Sequence, residues 1–106
     1  MRLLFDQGTP VPLRNHLLNH VVETAYEKGW SNLKNGSLLS QAEAEGFDAL
    51  ITTDQNLRYQ QNLSGRRISV VVLMTTSWPR IRNYVDRVVH AIDNLRTGSY
   101  EEIQFP

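Results

Sequence analysis

The sequence predicts a single α/β domain built on a mainly parallel sheet. Short apolar runs alternate along the 106-residue chain with segments of helical periodicity. This alternation is typical of parallel sheets assembled from right-handed crossover connections. Residues 68–73 contain an almost continuous run of valine, which indicates a strand that is covered on both faces. No repeat, linker or low-complexity segment interrupts the pattern, so residues 1–106 are expected to form one domain.

The first half of the chain predicts two strands, two helices and a loop. In order, these are a strand at 2–5, a helix at 10–18, a strand at 20–26, a loop at 27–36 and a helix at 37–45. Thr9 is expected to cap the first helix, because Pro10 suits a first helical position that needs no N–H donor. Gly46 is placed to end the second helix.

The second half predicts two further strands and the longest helix. The elements are a strand at 49–52, a brief helix or turn at 56–63, a strand at 68–73, a helix at 77–98 and a candidate edge strand at 100–105. The simplest four-strand sheet has the order 2-1-3-4, with helices on both faces. In that order the first and third strands are neighbours.

Composition excludes several classes of function. Formal net charge is zero, so no overall basic field indicates nucleic acid, and any such binding requires a local patch. The absence of cysteine excludes disulfides, thiolate metal sites and cysteine nucleophiles. The longest apolar run, residues 70–74, is too short to span a membrane. We therefore expect a cytoplasmic domain without a membrane segment.

Two of the predicted strands end in an aspartate. Asp6 follows the first strand and Asp54 follows the third. Because the carboxyl ends of neighbouring parallel strands meet at one edge of the sheet, we expect the two carboxylates to converge there. Such a pair is a natural site for a hard divalent cation such as Mg²⁺. The alternative is local: Asp6 bonds the backbone of a turn, and Asp54 caps the short helix after it.

Other polar residues surround the same predicted edge. Thr9 follows the first strand, and Thr52 and Thr53 precede Asp54; their hydroxyls are of a type that positions phosphates or metal-bound water. The segment 30–36 is rich in asparagine, carries Lys34 and leads into a helix, an arrangement suited to contacting a phosphate. The alternative in both cases is ordinary loop chemistry, since these residues also favour turns.

With these residues in place, the chain resembles the PIN-like superfamily of metal-dependent ribonucleases, a three-layer fold that includes VapC-type toxins. It is most similar to a short, poorly characterised bacterial branch. The resemblance covers about two-thirds of the chain and is carried by residues 3–6, 29–36 and 46–63.

The resemblance implies roles for particular residues. PIN nucleases gather several acidic side chains around Mg²⁺ or Mn²⁺ to activate water against a phosphodiester. Asp6 matches the aspartate of the first strand, and Asp54 matches the aspartate of the family's Thr-x-Asp ending. Two further acids are replaced: one position falls near Asn35 or Gly36, and another falls on Asn56. Asparagine accepts only through a neutral carbonyl, so metal affinity should be lower than in complete nucleases.

The leading functional hypothesis is therefore a metal-dependent ribonuclease, with Asp6 and Asp54 as catalytic residues and metal ligands. Substrate-binding roles are expected for Lys34, Asn35, Asn56 and Thr53. The resemblance also implies RNA as substrate, a small antitoxin partner and a homodimer. The alternative is a catalytically impaired PIN-like module that binds nucleic acid or a partner protein.

A phosphoacceptor domain using Asp54 is a weaker hypothesis. Such domains require an acidic pair after the first strand and a lysine after the last strand. Gln7 and the pair Trp78-Pro79 occupy the corresponding places here.

Overall fold

Strands and helices alternate along the whole chain in the computed structural model, which describes residues 1–106. The five strands are β1 (Arg2–Phe5), β2 (Val21–Thr24), β3 (Ala49–Thr52), β4 (Ser69–Leu73) and β5 (Tyr100–Ile103). A 3₁₀ helix spans Val11–His16. The four α-helices are α1 (Asn35–Ala44), α2 (Leu57–Gln60), α3 (Trp78–Asn83) and α4 (Val85–Asp93).

The strands form one sheet with the order β2-β1-β3-β4-β5, and every neighbouring pair is parallel. The predicted order 2-1-3-4 is confirmed within it. The predicted number of four strands was wrong, because the candidate edge strand at 100–105 does form, as β5, and makes a fifth. The expected parallel pairing is confirmed and extends to the whole sheet. Glu101 and Glu102 interrupt the apolar pattern of β5, but the strand still pairs with β4 and buries Ile103.

Helices cover both faces of the sheet, as the sequence predicts. Leu3 and Phe5 of β1 point to one face and pack with the 3₁₀ helix, α3 and α4. Leu4 points to the opposite face, where α1 and α2 supply the covering side chains. The alternation of side chains along a strand assigns each residue to one of these two cores. The result is a three-layer arrangement with the strand ends free to line a site.

Two helices differ from their predicted form. The segment expected at 10–18 is a 3₁₀ helix, and the Thr9 side chain is not its cap. The long helix expected at 77–98 is divided at Tyr84, whose φ of −127° and ψ of 28° are not helical. Both pieces still bury apolar side chains in the same core, because Ile81 and Val88 lie on either side of the break. No helix in the structure has the length and hydropathy that crossing a membrane requires.

Candidate functional site

The register of the sheet places Asp6 next to Thr52. Phe5 lies opposite Ile51, and the backbone N–H of Asp6 continues the pairing by donating to the Ile51 carbonyl at 3.2 Å. Because side chains alternate between faces, Asp6 and Thr52 both point to the face that α1 covers, as Leu4 does. The carboxylate and the hydroxyl therefore meet where β1 and β3 end.

The Asp6 carboxylate is half-buried and accepts hydrogen bonds from two hydroxyls. Thr9 donates to Oδ1 at 2.8 Å, and Thr52 donates to Oδ2. Burial raises the pKa of the Asp6 carboxyl above its ordinary value, although the hydrogen bonds from Thr52 and Thr9 act in the opposite direction. Because burial makes the charge of the Asp6 carboxylate unfavourable, a bound cation would stabilise its ionised form.

Thr52 connects the two aspartates. Its hydroxyl donates to Asp6 and accepts from the backbone N–H of Asp54 at 3.0 Å. Thr52 has no exposed surface, so this hydroxyl has no access to water as a replacement partner. Asp6 and Asp54, which are 48 positions apart in the chain, thus belong to one hydrogen-bonded network at the sheet edge.

The Asp54 carboxylate combines a local and a distant contact. Oδ1 accepts from the backbone N–H of Asn56 at 3.0 Å, as expected for a turn aspartate. Oδ2 accepts from the side-chain amide of Asn35, the first residue of α1. Helix α1 begins at Asn35 rather than near residue 37, and this earlier start brings the amide to the site. Asn35 is therefore joined to Asp54, while the backbone of Asn56 supports the same carboxylate.

The remaining predicted residues lie around this network without bonding to it. The Thr53 hydroxyl packs against Gly8, where an added Cβ atom would lie only 2.5 Å from Thr53 Oγ1. The Asn56 side chain is exposed, and Lys34 is exposed at the residue before α1. Neither side chain forms a hydrogen bond or an ion pair, so both are free to meet a ligand.

Sequence reasoning did not identify the central roles of Thr52 and Thr9. It placed Thr9, Thr52 and Thr53 at this edge and selected Thr53 for substrate binding, whereas Thr52 joins the aspartates. Thr9 was assigned to a helix cap, but its hydroxyl points back to Asp6 and to the Ile51 carbonyl, at 2.8 Å each. The available signal was Thr52 itself, since a hydroxyl at the end of a fully buried strand requires a buried partner.

Two clefts open beside Asp6. A small one of about 140 Å³ lies between Asp6 and the start of α1, and Asn35 and Trp30 help to line it. A larger one of about 470 Å³ lies on the other side, toward Arg14 and Tyr26. Asp6 is a lining residue of both clefts.

The donor set fits a single hard cation rather than a pair. The site offers two carboxylates with hydroxyl and amide groups, and Mg²⁺ is commonly held by one or two carboxylates together with waters and substrate phosphates. No group of three or more aspartate, glutamate, histidine or cysteine side chains in the structure is arranged so that it could hold a metal ion. A two-metal clamp, which distributes its ligands over more acids, does not match this arrangement.

The fold and the edge network together define an α/β domain with an acidic site at the carboxyl ends of its strands. In comparisons with protein-family models, with curated proteins and with solved structures, nothing matched this chain. The site itself is therefore the basis for a functional proposal.

Proposed function

We propose that the protein is a metal-dependent RNA phosphodiesterase of PIN-like type that works with one Mg²⁺ or Mn²⁺ ion. The observation that supports the proposal is the Thr52 hydroxyl, which holds Asp6 and the backbone of Asp54 in one network. Ligands of open α/β sheets bind at this edge, outside the carboxyl ends of the strands.

Asp6 and Asp54 are the residues that would hold the ion. When bound, the ion supplies a Lewis acid for a phosphoryl oxygen and lowers the pKa of a coordinated water. The protein holds the carboxylates in place: Thr9 and Thr52 orient Asp6, and Asn35 orients Asp54. This support limits the rotamers of both ligands before substrate arrives.

The neighbouring polar residues are assigned to the substrate. Lys34 and Asn56 have free side chains at the starts of α1 and α2, where a cation and an amide can contact phosphate oxygens. Thr53 and Asn35 border the same edge. In the resemblance to PIN nucleases, an acid falls near Asn35 or Gly36; Asn35 would contribute orientation without negative charge, and turnover is expected to be slow.

A second candidate is a PIN-like module that binds RNA or a protein without cleaving it. The specific observation in its favour is that Asp54 Oδ2 already accepts from the Asn35 amide. That contact satisfies the oxygen without a metal. The resemblance behind both candidates also suggests a small antitoxin partner, a homodimer and a cytoplasmic location, which we include in the proposal.

Cleavage of structured RNA in the presence of Mn²⁺ tests the proposal. The wild-type protein should cut, and Asp6→Asn and Asp54→Asn should each reduce the rate at least about 100-fold, as expected when a metal ligand is lost. Asp86→Asn is the matched control, because Asp86 is exposed in the first turn of α4 and forms no ion pair. Its rate should equal that of the wild type.

The two candidates give different results in this assay. RNA that remains equally intact with the wild type and with both site variants argues against catalysis. Binding of the same RNA by the wild type, measured in parallel, would then support the non-catalytic module.

A further inference from the structure

The larger cleft beside Asp6 shares that residue with the proposed metal site. The proposed metal site gives the rest of this cleft no role. Its volume of about 470 Å³ lies within the range of small-ligand pockets, which is about 300–1,000 Å³. Its walls expose mainly carbon atoms, and Arg14 and Tyr26 line it together with Asp6. A flat, largely apolar ligand with an attached anionic group would match such a cleft.

Tyr26 is presented on the wall of this cleft by a fixed turn. Thr24 and Glu27 hold the turn by reciprocal hydrogen bonds: the Thr24 N–H donates to Glu27 at 2.9 Å, and the Glu27 N–H donates to the Thr24 hydroxyl at 3.0 Å. The Tyr26 residue is 78% exposed, and its hydroxyl has no hydrogen-bond partner. The hydrogen bonds hold the turn, and the exposed ring that it carries is available for stacking.

Arg14 supplies a positive group in the same cleft. Its guanidinium donates to Glu27 from Nη1 at 3.2 Å and from Nη2 at 2.7 Å. A guanidinium has five N–H groups; the Nε is buried, and each Nη atom keeps one N–H that does not bond to Glu27. The ion pair with Glu27 thus fixes the orientation of Arg14 while leaving donors for a further anion.

We propose that this cleft is a nucleotide subsite in which Tyr26 stacks on a base of single-stranded RNA and Arg14 contacts the adjoining phosphate. The inference depends on the proposed function for the identity of the ligand. The cleft borders Asp6, so a base seated here places the next phosphodiester at the Asp6 and Asp54 edge. Tyr26 and Arg14 are then binding residues that determine where along the strand the protein acts.

Fluorescence anisotropy with a labelled eight-nucleotide single-stranded RNA measures this subsite. Tyr26→Ala should raise Kd about tenfold, the size of one lost base stack, while Tyr26→Trp keeps the affinity near that of the wild type. Tyr59→Ala is the matched control, because Tyr59 is similarly exposed at 72% but does not line the cleft. It should change Kd less than twofold.

Salt dependence tests Arg14 separately. Arg14→Gln should reduce the slope of log Kd against log salt by about 0.7, the contribution of one phosphate contact to a single strand. Arg14→Lys should retain most of the slope, and Tyr26→Ala should leave it unchanged. Circular dichroism melts confirm that each variant is folded, and the RNA is checked on a gel after every titration.

The outcomes separate this inference from the proposed function. If the wild type cleaves RNA and loses cleavage on Asp6→Asn, but Tyr26→Ala binds as tightly as the wild type, the subsite is disproved and the proposed activity stands. If neither the wild type nor any variant cleaves RNA, but Tyr26→Ala weakens RNA binding and Tyr59→Ala does not, the subsite is supported and the protein is a non-catalytic module. A wild-type protein that does not bind the RNA overturns the subsite.

Discussion

Replacing Thr52 with valine tests the network on which the proposed site depends. Valine has nearly the same shape as threonine, so the buried strand end keeps its volume while the hydroxyl is lost. Asp6 then loses one of its two hydroxyl donors, and the backbone N–H of Asp54 loses its acceptor. The substitution should therefore destabilise the fold and weaken the positioning of the Asp6 carboxylate and of the Asp54 backbone.

The expected loss follows from these two hydrogen bonds. A hydrogen bond to a charged group contributes about 1.5–3 kcal/mol, and a buried donor left without a partner costs about 1–3 kcal/mol. Because neighbouring contacts are not additive, we expect Thr52→Val to lower the free energy of unfolding by about 2–4 kcal/mol. For a domain of this size, that corresponds to a decrease in Tm on the order of 10 °C or more.

Urea unfolding followed by tryptophan fluorescence measures this loss. Thr52→Ser is the informative companion, because it keeps the hydroxyl and removes one buried methyl group, which is worth about 1 kcal/mol. Thr53→Val is the positional control: the Thr53 hydroxyl forms no hydrogen bond, so its removal should change stability by less than about 1 kcal/mol. The loss of unfolding free energy caused by Thr52→Val should also become larger as pH rises, because the Thr52 hydroxyl stabilises the ionised form of Asp6.

Two results would contradict a stabilising role for the Thr52 hydroxyl. One is a Thr52→Val protein with a free energy of unfolding within about 0.5 kcal/mol of the wild type. The other is a serine variant that is as unstable as the valine variant, which would mean that packing of the methyl group, and not the hydroxyl, stabilises the strand end.

Three further predictions concern backbone strain, pH and metal. In urea unfolding, Gly98→Ala should lower the free energy of unfolding by at least about 1 kcal/mol more than Gly29→Ala does. Both glycines have positive φ, +70° at Gly98 and +75° at Gly29. Only at Gly98 would the new Cβ meet a backbone oxygen, that of Arg66 at 2.6 Å. As pH rises, ionisation of Asp6 should lower the free energy of unfolding, whereas ionisation of Glu43 should raise it. Burial raises the Asp6 pKa, so its ionisation lowers stability as pH rises above 3.8, and Asp6→Asn should remove that decrease. Two backbone N–H groups lower the pKa of Glu43, so its contribution is present above pH 4.5 and is lost as pH falls, and Glu43→Gln should remove it. Mn²⁺ at about 100 times its Kd should stabilise the wild type by about 2.7 kcal/mol in thermal melts, whereas the Asp6→Asn variant should show no shift.

The sheet was largely predictable because its signals are local. A run of apolar residues that ends in Asp6 or Asp54 predicts both a strand and its end, and alternation with helices predicts parallel pairing. The fifth strand was harder to predict, since two glutamates lie within it and its pairing partner, β4, is distant in sequence. Its existence depends on hydrogen bonds to that partner rather than on its own composition.

The candidate site was predictable in position but not in its connections. Asp6 and Asp54 were expected at one edge, and the structure joins them through Thr52. The choice between Thr52 and Thr53 depends on which face each side chain occupies, and a shift of one residue reverses that choice. The sequence predicted the end of β3 correctly at residue 52, but it does not give the register of β3 against β1, which sets Thr52 beside Asp6.

Local sequence patterns were enough to predict the alternation of strands and helices, the order of the first four strands and the placement of two aspartates at strand ends. These features depend on periodicity and turn chemistry, which act over a few residues. Only the tertiary structure decided that Thr52 joins the aspartates, that Asn35 reaches Asp54 and that Arg14 and Tyr26 share a cleft with Asp6. Those contacts link positions far apart in the chain, and they form only when the register of the sheet and the packing of its helices bring the side chains together.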